Sequence, residues 1–191
     1  MQKRITVLPV SGGSFPAQIA MMRLLINSDA PRPQLMMGTS GGNVVGYLTM
    51  AADFNADKLL ELACSLEGHM FVEPWGGYLS KVQGFFKGAA YRASDKGMDM
   101  FRNLFANGNC DDVEMWSSTT ERSTGKVQLW SNRSHRTSSI KALDLNLHNN
   151  CRPLRYINGN VDKMAKICMA SASIPGVVTP QDIDGEEHQD G

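Results

Sequence analysis

A chain of 191 residues with 42% hydrophobic and 20% charged residues has the size and mix of a single globular domain, which excludes wholesale disorder. Lys plus Arg and Asp plus Glu are both 19, so no overall field draws the chain to nucleic acid or to an anionic membrane. Cys64, Cys110, Cys151 and Cys168 stand far apart, without a C-x-x-C pair or a histidine at ligand spacing; free, mostly buried thiols are expected and no metal or cofactor.

Met1 to Arg4 give a basic start, but Gly12-Gly13 arrives before an apolar stretch of signal length forms, and no apolar run of membrane-spanning length follows. A cytoplasmic protein, at most peripheral at membranes, is the expectation, and the Asn132-Arg133-Ser134 sequon then carries no meaning. Residues 5–10 predict a short buried strand with Pro9 at its end or on an edge. Ser11-Gly12-Gly13-Ser14 is a small-residue turn, and 17–26 predicts a helix. After the breakers Pro31 and Pro33, Leu35-Met36-Met37 predicts a second strand, ending in Gly38-Thr39-Ser40-Gly41-Gly42. Val44, Val45, Tyr47, Leu48, Ala51 and Ala52 then recur at helical spacing. The same unit, strand, glycine turn and helix, thus occurs twice.

Residues 56–68 predict an amphipathic helix with Asp57 near its start and Gly68 at its stop. The aromatic, Gly-rich stretch 69–111 is expected to hold loops and short helices, forming a lid, a membrane contact or simply core aromatics. Val113–Thr120 and Lys126–Asn132 are rich in β-branched and aromatic residues and predict a hairpin. Residues 161–170 predict a helix that stops before Pro175. The polar run from Asp184 to Asp190-Gly191 shows neither a closing helix nor a closing strand. The expectation is one domain over 1–191, its N-terminal and catalytic part, incomplete after 191.

In G-x-S-x-G a serine sits at a sharp strand-to-helix turn, where small neighbours let the backbone turn and free helix amides stabilise a developing oxyanion. Ser40 is therefore the candidate nucleophile, and Gly12-Gly13 a candidate source of further donors. A serine hydroxyl needs a base. Among His69, His135, His148 and His188, a triad of Ser40, Asp144 and His188 has a known chain order; the other option is an aspartate acting directly on the hydroxyl.

Gly12-Gly13, the Gly38–Gly42 pentapeptide, Ala170-Ser171-Ala172-Ser173-Ile174-Pro175, Pro180, Ile183-Asp184-Gly185 and Asp190-Gly191 form an ordered series. It resembles the patatin-like phospholipase family over residues 5–191, and the hairpin with Thr124-Gly125-Lys126 is also similar to family members. The resemblance implies an α/β fold of three α/β/α layers around a mostly parallel sheet. It also implies a Ser/Asp dyad, with Ser40 as nucleophile and Asp190 as base. Gly12, Gly13 and Ser14 then fall in the oxyanion loop, and Gly38 and Gly42 flank the nucleophile. The implied substrate is a phospholipid or acylglycerol ester at a membrane or lipid-droplet surface, cleaved through an acyl-enzyme without a cofactor.

One departure stands out. The family usually has three glycines followed by Arg or Lys and Gly in its first loop, where this chain reads Ser11-Gly12-Gly13-Ser14-Phe15-Pro16. The alternative is a catalytically inactive protein of the same fold that binds lipid or a partner. Ser171 and Ser173 read as packing or helix-end residues. Met21, Met22, Met36, Met37 and Met50 read as core filling before an acyl-chain lining.

Overall fold

The computed structural model describes residues 5–8, by their backbone, together with 14–28, 31–66, 71–75, 88–107, 113–134 and 150–191. The two apolar runs form strands β1 (Ile5–Leu8) and β2 (Leu35–Gly38), and each leads into a helix, α1 (Phe15–Asn27) and α2 (Gly41–Ala51). Pro16 lies in the first turn of α1, where a missing N–H costs no helical bond. In α2 every residue from Gly42 to Ala51 is buried. An apolar helix without a polar face has to be enclosed on all sides, and α2 packs against α1, β1, β2 and the helices that follow.

Helix α3 (Ala56–Cys64) is capped by Asn55, whose side-chain oxygen accepts the N–H groups of Asp57 at 3.1 Å and Lys58 at 2.9 Å. It stops at Cys64, before the expected end, and Gly68 lies outside the described residues. The expectation of loops and short helices over 69–111 is corrected. The described part holds strands β3 (Val72–Pro74) and β4 (Tyr91–Ala93), paired antiparallel, and a 13-residue helix α4 (Asp95–Asn107). Met98, Phe101 and Phe105 bury one face of α4 at helical spacing, and the Phe101 and Phe105 rings stack at 6.0 Å. That signal is diluted in the sequence by Gly97 and by the charged residues between.

Strands β5 (Glu114–Glu121) and β6 (Val127–Ser131) form the expected hairpin. Strand β7 (Arg155–Tyr156) follows, and then α5 (Val161–Ser171), capped by Asn160 onto the Lys163 N–H at 3.0 Å. The polar C-terminal run, expected to be without structure, pairs as β8 (Gln181–Ile183) and β9 (Glu186–Gln189). Its turn residues Asp184 and Gly185 both have positive φ, 57° and 83°, as a tight primed hairpin turn requires. Two arginines bind Glu186 of β9, Arg152 at 3.0 Å and Arg155 at 2.8 Å, so polar strands are held by backbone pairing and charge rather than by apolar periodicity.

The sheet runs β1-β2-β5-β6-β7, with β9 also paired to β5 and β8 to β9. β1, β2 and β5 are mutually parallel, β6 and β9 are antiparallel to β5, and β7 is parallel to β6. Strand alternation divides the side chains between two faces. Met36, Met115 and Trp130 enter the main core with the helices, whereas Leu35, Trp116 and Leu129 form a second buried cluster. Both faces of this mixed sheet, parallel through β1, β2 and β5, are thus buried, as a layered α/β fold demands.

Met22, Met36 and Met50 fill the core, while Met21 is exposed. Of the described thiols, Cys168 is buried and burial pushes its pKa up, Cys151 is half-buried and Cys64, at the end of α3, is exposed, so the expectation of mostly buried thiols holds fully only at Cys168; Cys110 lies outside the described residues. Among the described residues no helix is long and apolar enough to cross a membrane.

Candidate active site

One side of β5 explains where the site lies. β2 runs along its first half, up to Gly38 opposite Ser117. β9 runs the opposite way along its second half, down to Gln189 opposite Thr120. Only about 10 Å of β5 separates those positions at the usual rise per residue. The residues that leave the two strand ends therefore converge over Ser118 and Thr119. From β2 these are Thr39 and Ser40; from β9, Asp190 and Gly191.

The Ser40 hydroxyl donates to Asp190 Oδ2 at 2.8 Å, across 150 residues of chain. Ser40 is buried and stands at the N-cap of α2 with φ 54° and ψ −132°, a region that side-chain-bearing residues rarely occupy. That conformation leaves the strand ladder and sends the side chain out at the sheet end. Behind it, the Gly42 N–H returns to Thr39 O at 2.9 Å and the Asn43 N–H to Ser40 O at 3.0 Å. The Gly41 N–H, first in the helix, has no hydrogen-bond partner among the described residues.

Gly38 is needed for its lack of a side chain. A Cβ there would lie 2.7 Å from Asn43 Cα and 2.8 Å from Asn43 N, so α2 rests directly on the end of β2. Gly38→Ala should force the two apart, destabilising the protein by about 1–3 kcal/mol and displacing Ser40. Thermal unfolding checks this; an unchanged Tm would show that α2 yields freely. Gly191 is equally confined, since a Cβ on it would come 2.5 Å from Ser118 Oγ and 3.0 Å from that residue's carbonyl. Ser118 Oγ also meets Thr39 Oγ1 at 2.5 Å, so one β5 residue seats both converging segments.

Asp190 is half-buried. Burial raises its carboxyl above the ordinary aspartate range, partly opposed by the hydrogen bonds from Ser40 and from the Gly191 backbone. A carboxylate of raised basicity, 2.8 Å from a hydroxyl, is arranged to take that proton.

Among the described residues the histidine option is not assembled. His188 is fully buried, with its ring 5.4 Å from that of Trp130 and its Nδ1 3.0 Å from Thr119 Oγ1. The Trp130 indole N–H donates to the same Thr119 oxygen, which leaves the Thr119 hydroxyl proton for Nδ1. Burial lowers the His188 pKa, so the ring is neutral at pH 7 and serves to seat β9. Asp144, His69, His135 and His148 lie outside the described residues, as do Gly12 and Gly13 of the oxyanion loop. Ser14 is described as an exposed residue at the entry to α1, with no side-chain cap on that helix.

Two residues read as packing or helix-end positions have a more specific place. Ser171 Oγ accepts the backbone N–H of Ser40 at 2.9 Å, and the carbonyl of Ser173 accepts the N–H of Asp190 at 3.0 Å. No local pattern assigns these contacts, because each partner lies far away in sequence. Among the described residues, no group of three or more His, Cys, Asp or Glu side chains could hold a metal ion.

A family model described as patatin-like phospholipase matches residues 11–191. Comparison with the curated proteins finds no match.

Proposed function

The chain belongs to the patatin-like phospholipase family, a family of lipid acyl hydrolases, and on that premise we propose that it cleaves carboxylic esters of phospholipids or acylglycerols through a Ser40/Asp190 dyad. The observation that carries the proposal is the 2.8 Å bond from the Ser40 hydroxyl to Asp190 Oδ2 at the mouth of a strained strand-to-helix turn.

In this reading Asp190 accepts the Ser40 proton as Oγ attacks the ester carbonyl. The negative oxygen of the tetrahedral intermediate meets the amides at the N-terminus of α2, Gly41 N–H first, with the Gly12-Gly13 loop as the further donor. As the intermediate collapses, Asp190 returns its proton to the leaving alcohol and Ser40 holds the acyl group as an ester. Water then attacks that ester while Asp190 takes a proton from it; the fatty acid leaves and Ser40 recovers its hydroxyl.

A lipid substrate also suits the surroundings. Ile174 and Val177, 48% and 40% exposed, follow directly on the Ser173 that holds Asp190, and Tyr91, 41% exposed, donates its N–H to the Val177 carbonyl at 2.8 Å. Apolar side chains open to solvent on the segment that follows Ser173 fit an acyl chain or a lipid surface better than a polar substrate. The proposal therefore places the protein peripherally at a membrane or droplet surface, as a single catalytic domain over the described chain.

The test is release of fatty acid from phosphatidylcholine vesicles and from a triacylglycerol emulsion, beside turnover of a soluble p-nitrophenyl ester. Turnover of any of these supports hydrolysis; none at all, from a folded chain, points to the inactive lipid-binding alternative.

The pH profile gives an independent check. Asp190 works only when deprotonated, and its pKa lies above the ordinary 3.8. The profile of kcat/KM should rise with pH along one acid limb with its midpoint above that value. A midpoint at or below it would mean that a different, unburied group is titrating.

A further inference from the structure

Beyond the dyad itself, the end of α5 bears on both of its halves. Ser171, Ala172 and Ser173 are consecutive. The first accepts the Ser40 N–H through its side chain at 2.9 Å, and the third accepts the Asp190 N–H through its carbonyl at 3.0 Å. Ser171 and Ser173 are both fully buried, and Ser173 Oγ donates back to Met169 O at 2.8 Å, which fixes this segment onto the last turn of α5.

The Ser40 N–H needs such a partner. At φ 54° the residue has left the β2 ladder, and as N-cap of α2 it lies ahead of the helix's own hydrogen bonds, so its buried amide has neither strand nor helix acceptor. The Ser171 hydroxyl is the acceptor provided, and it arrives from an element 131 residues away. The same three-residue span thereby sets where Ser40 stands and where Asp190 stands.

Resting on the Ser/Asp reading above, we propose that Ser171 is a positioning residue: by accepting the Ser40 N–H it holds the nucleophile turn in the orientation from which Oγ reaches Asp190. Its hydrogen bond runs to the Ser40 amide rather than to the base. Its loss should lower the rate of attack and leave substrate binding nearly untouched.

The test compares Ser171→Thr with Ser171→Val in the full chain. The two side chains share a shape, so any packing cost is common to both and only the acceptor oxygen differs. The readouts are the second-order rate of labelling by a fluorophosphonate, per folded molecule, and kcat and KM on a soluble ester. The Val variant should react roughly 10-fold or more slowly than the Thr variant, with kcat carrying the loss and KM similar, as for a small misplacement of a reacting group. Equal rates in the two variants overturn the proposal. Should the added methyl prevent folding, Ser171→Ala against wild type makes the same comparison without it. Wild-type protein that neither labels nor turns over ester would instead remove the dyad reading on which the proposal rests.

Discussion

Ser40→Ala should lower kcat on any ester substrate by roughly 10⁴-fold or more, the scale of loss when a covalent nucleophile is removed. Turnover on a soluble p-nitrophenyl ester measures it. Among the described residues the only polar contact of the Ser40 side chain is with Asp190, so there the substitution removes the hydroxyl and little else. Activity within a few fold of wild type would mean that another residue attacks.

The same position separates catalysis from stability. Ser40 holds φ 54° and ψ −132°, which costs a residue with a Cβ about 1–3 kcal/mol. Ser40→Gly and Ser40→Ala both lose the hydroxyl, but only glycine relaxes the turn. The Gly variant should therefore unfold at a higher temperature than the Ala variant, although glycine elsewhere usually costs about 0.5–1 kcal/mol. The reverse order would show that the turn is not strained.

Asp190→Asn should cost roughly 10²–10⁴-fold in kcat, the range attributed to a general base. Asparagine keeps the size of the side chain and a carbonyl oxygen for the Ser40 hydroxyl, so the loss falls on proton transfer rather than on the fold.

Stability should move the other way. Burial raises the Asp190 pKa in the folded chain, so the folded state holds the proton more tightly than the unfolded one. Wild-type stability falls as pH rises from the ordinary carboxylate range through the raised folded value, and levels off above it. The Asn variant cannot titrate. Wild type minus variant should be most favourable at the acid end and decline across that window. A difference that does not change with pH would deny the buried carboxylate.

What could be read in the sequence divides by physical cause. Leu35-Met36-Met37 before Gly38, and the helical spacing after Ser40, are local signals, and they locate the strand, the turn and the helix within a few residues. Asn55, the cap of α3, lies just before the Asp57 that marked the helix start, and any short side chain able to accept a hydrogen bond can serve in that role. The C-terminal hairpin was hidden because Gln181–Ile183 and Glu186–Gln189 are polar. Their order comes from β5, Arg152 and Arg155, although Asp184-Gly185 is itself a hairpin signal.

The pairing of Ser40 with Asp190 belongs to a third kind. Nothing in a spacing of 150 residues joins them, and the ordered series of motifs raised the pair only through resemblance to a family. The fold supplies the physical reason: two strands run in opposite directions along one side of β5 and end facing each other. The Ser171 contact with the Ser40 amide depends on the same long-range packing, and so it stayed invisible until α5 was in place.

Treating the full chain with a fluorophosphonate and mapping the adduct by peptide mass spectrometry identifies the nucleophile itself. One adduct is expected, on Ser40, and its formation slows as pH falls through the Asp190 titration. Ester turnover accompanied by an adduct on a different residue would contradict it.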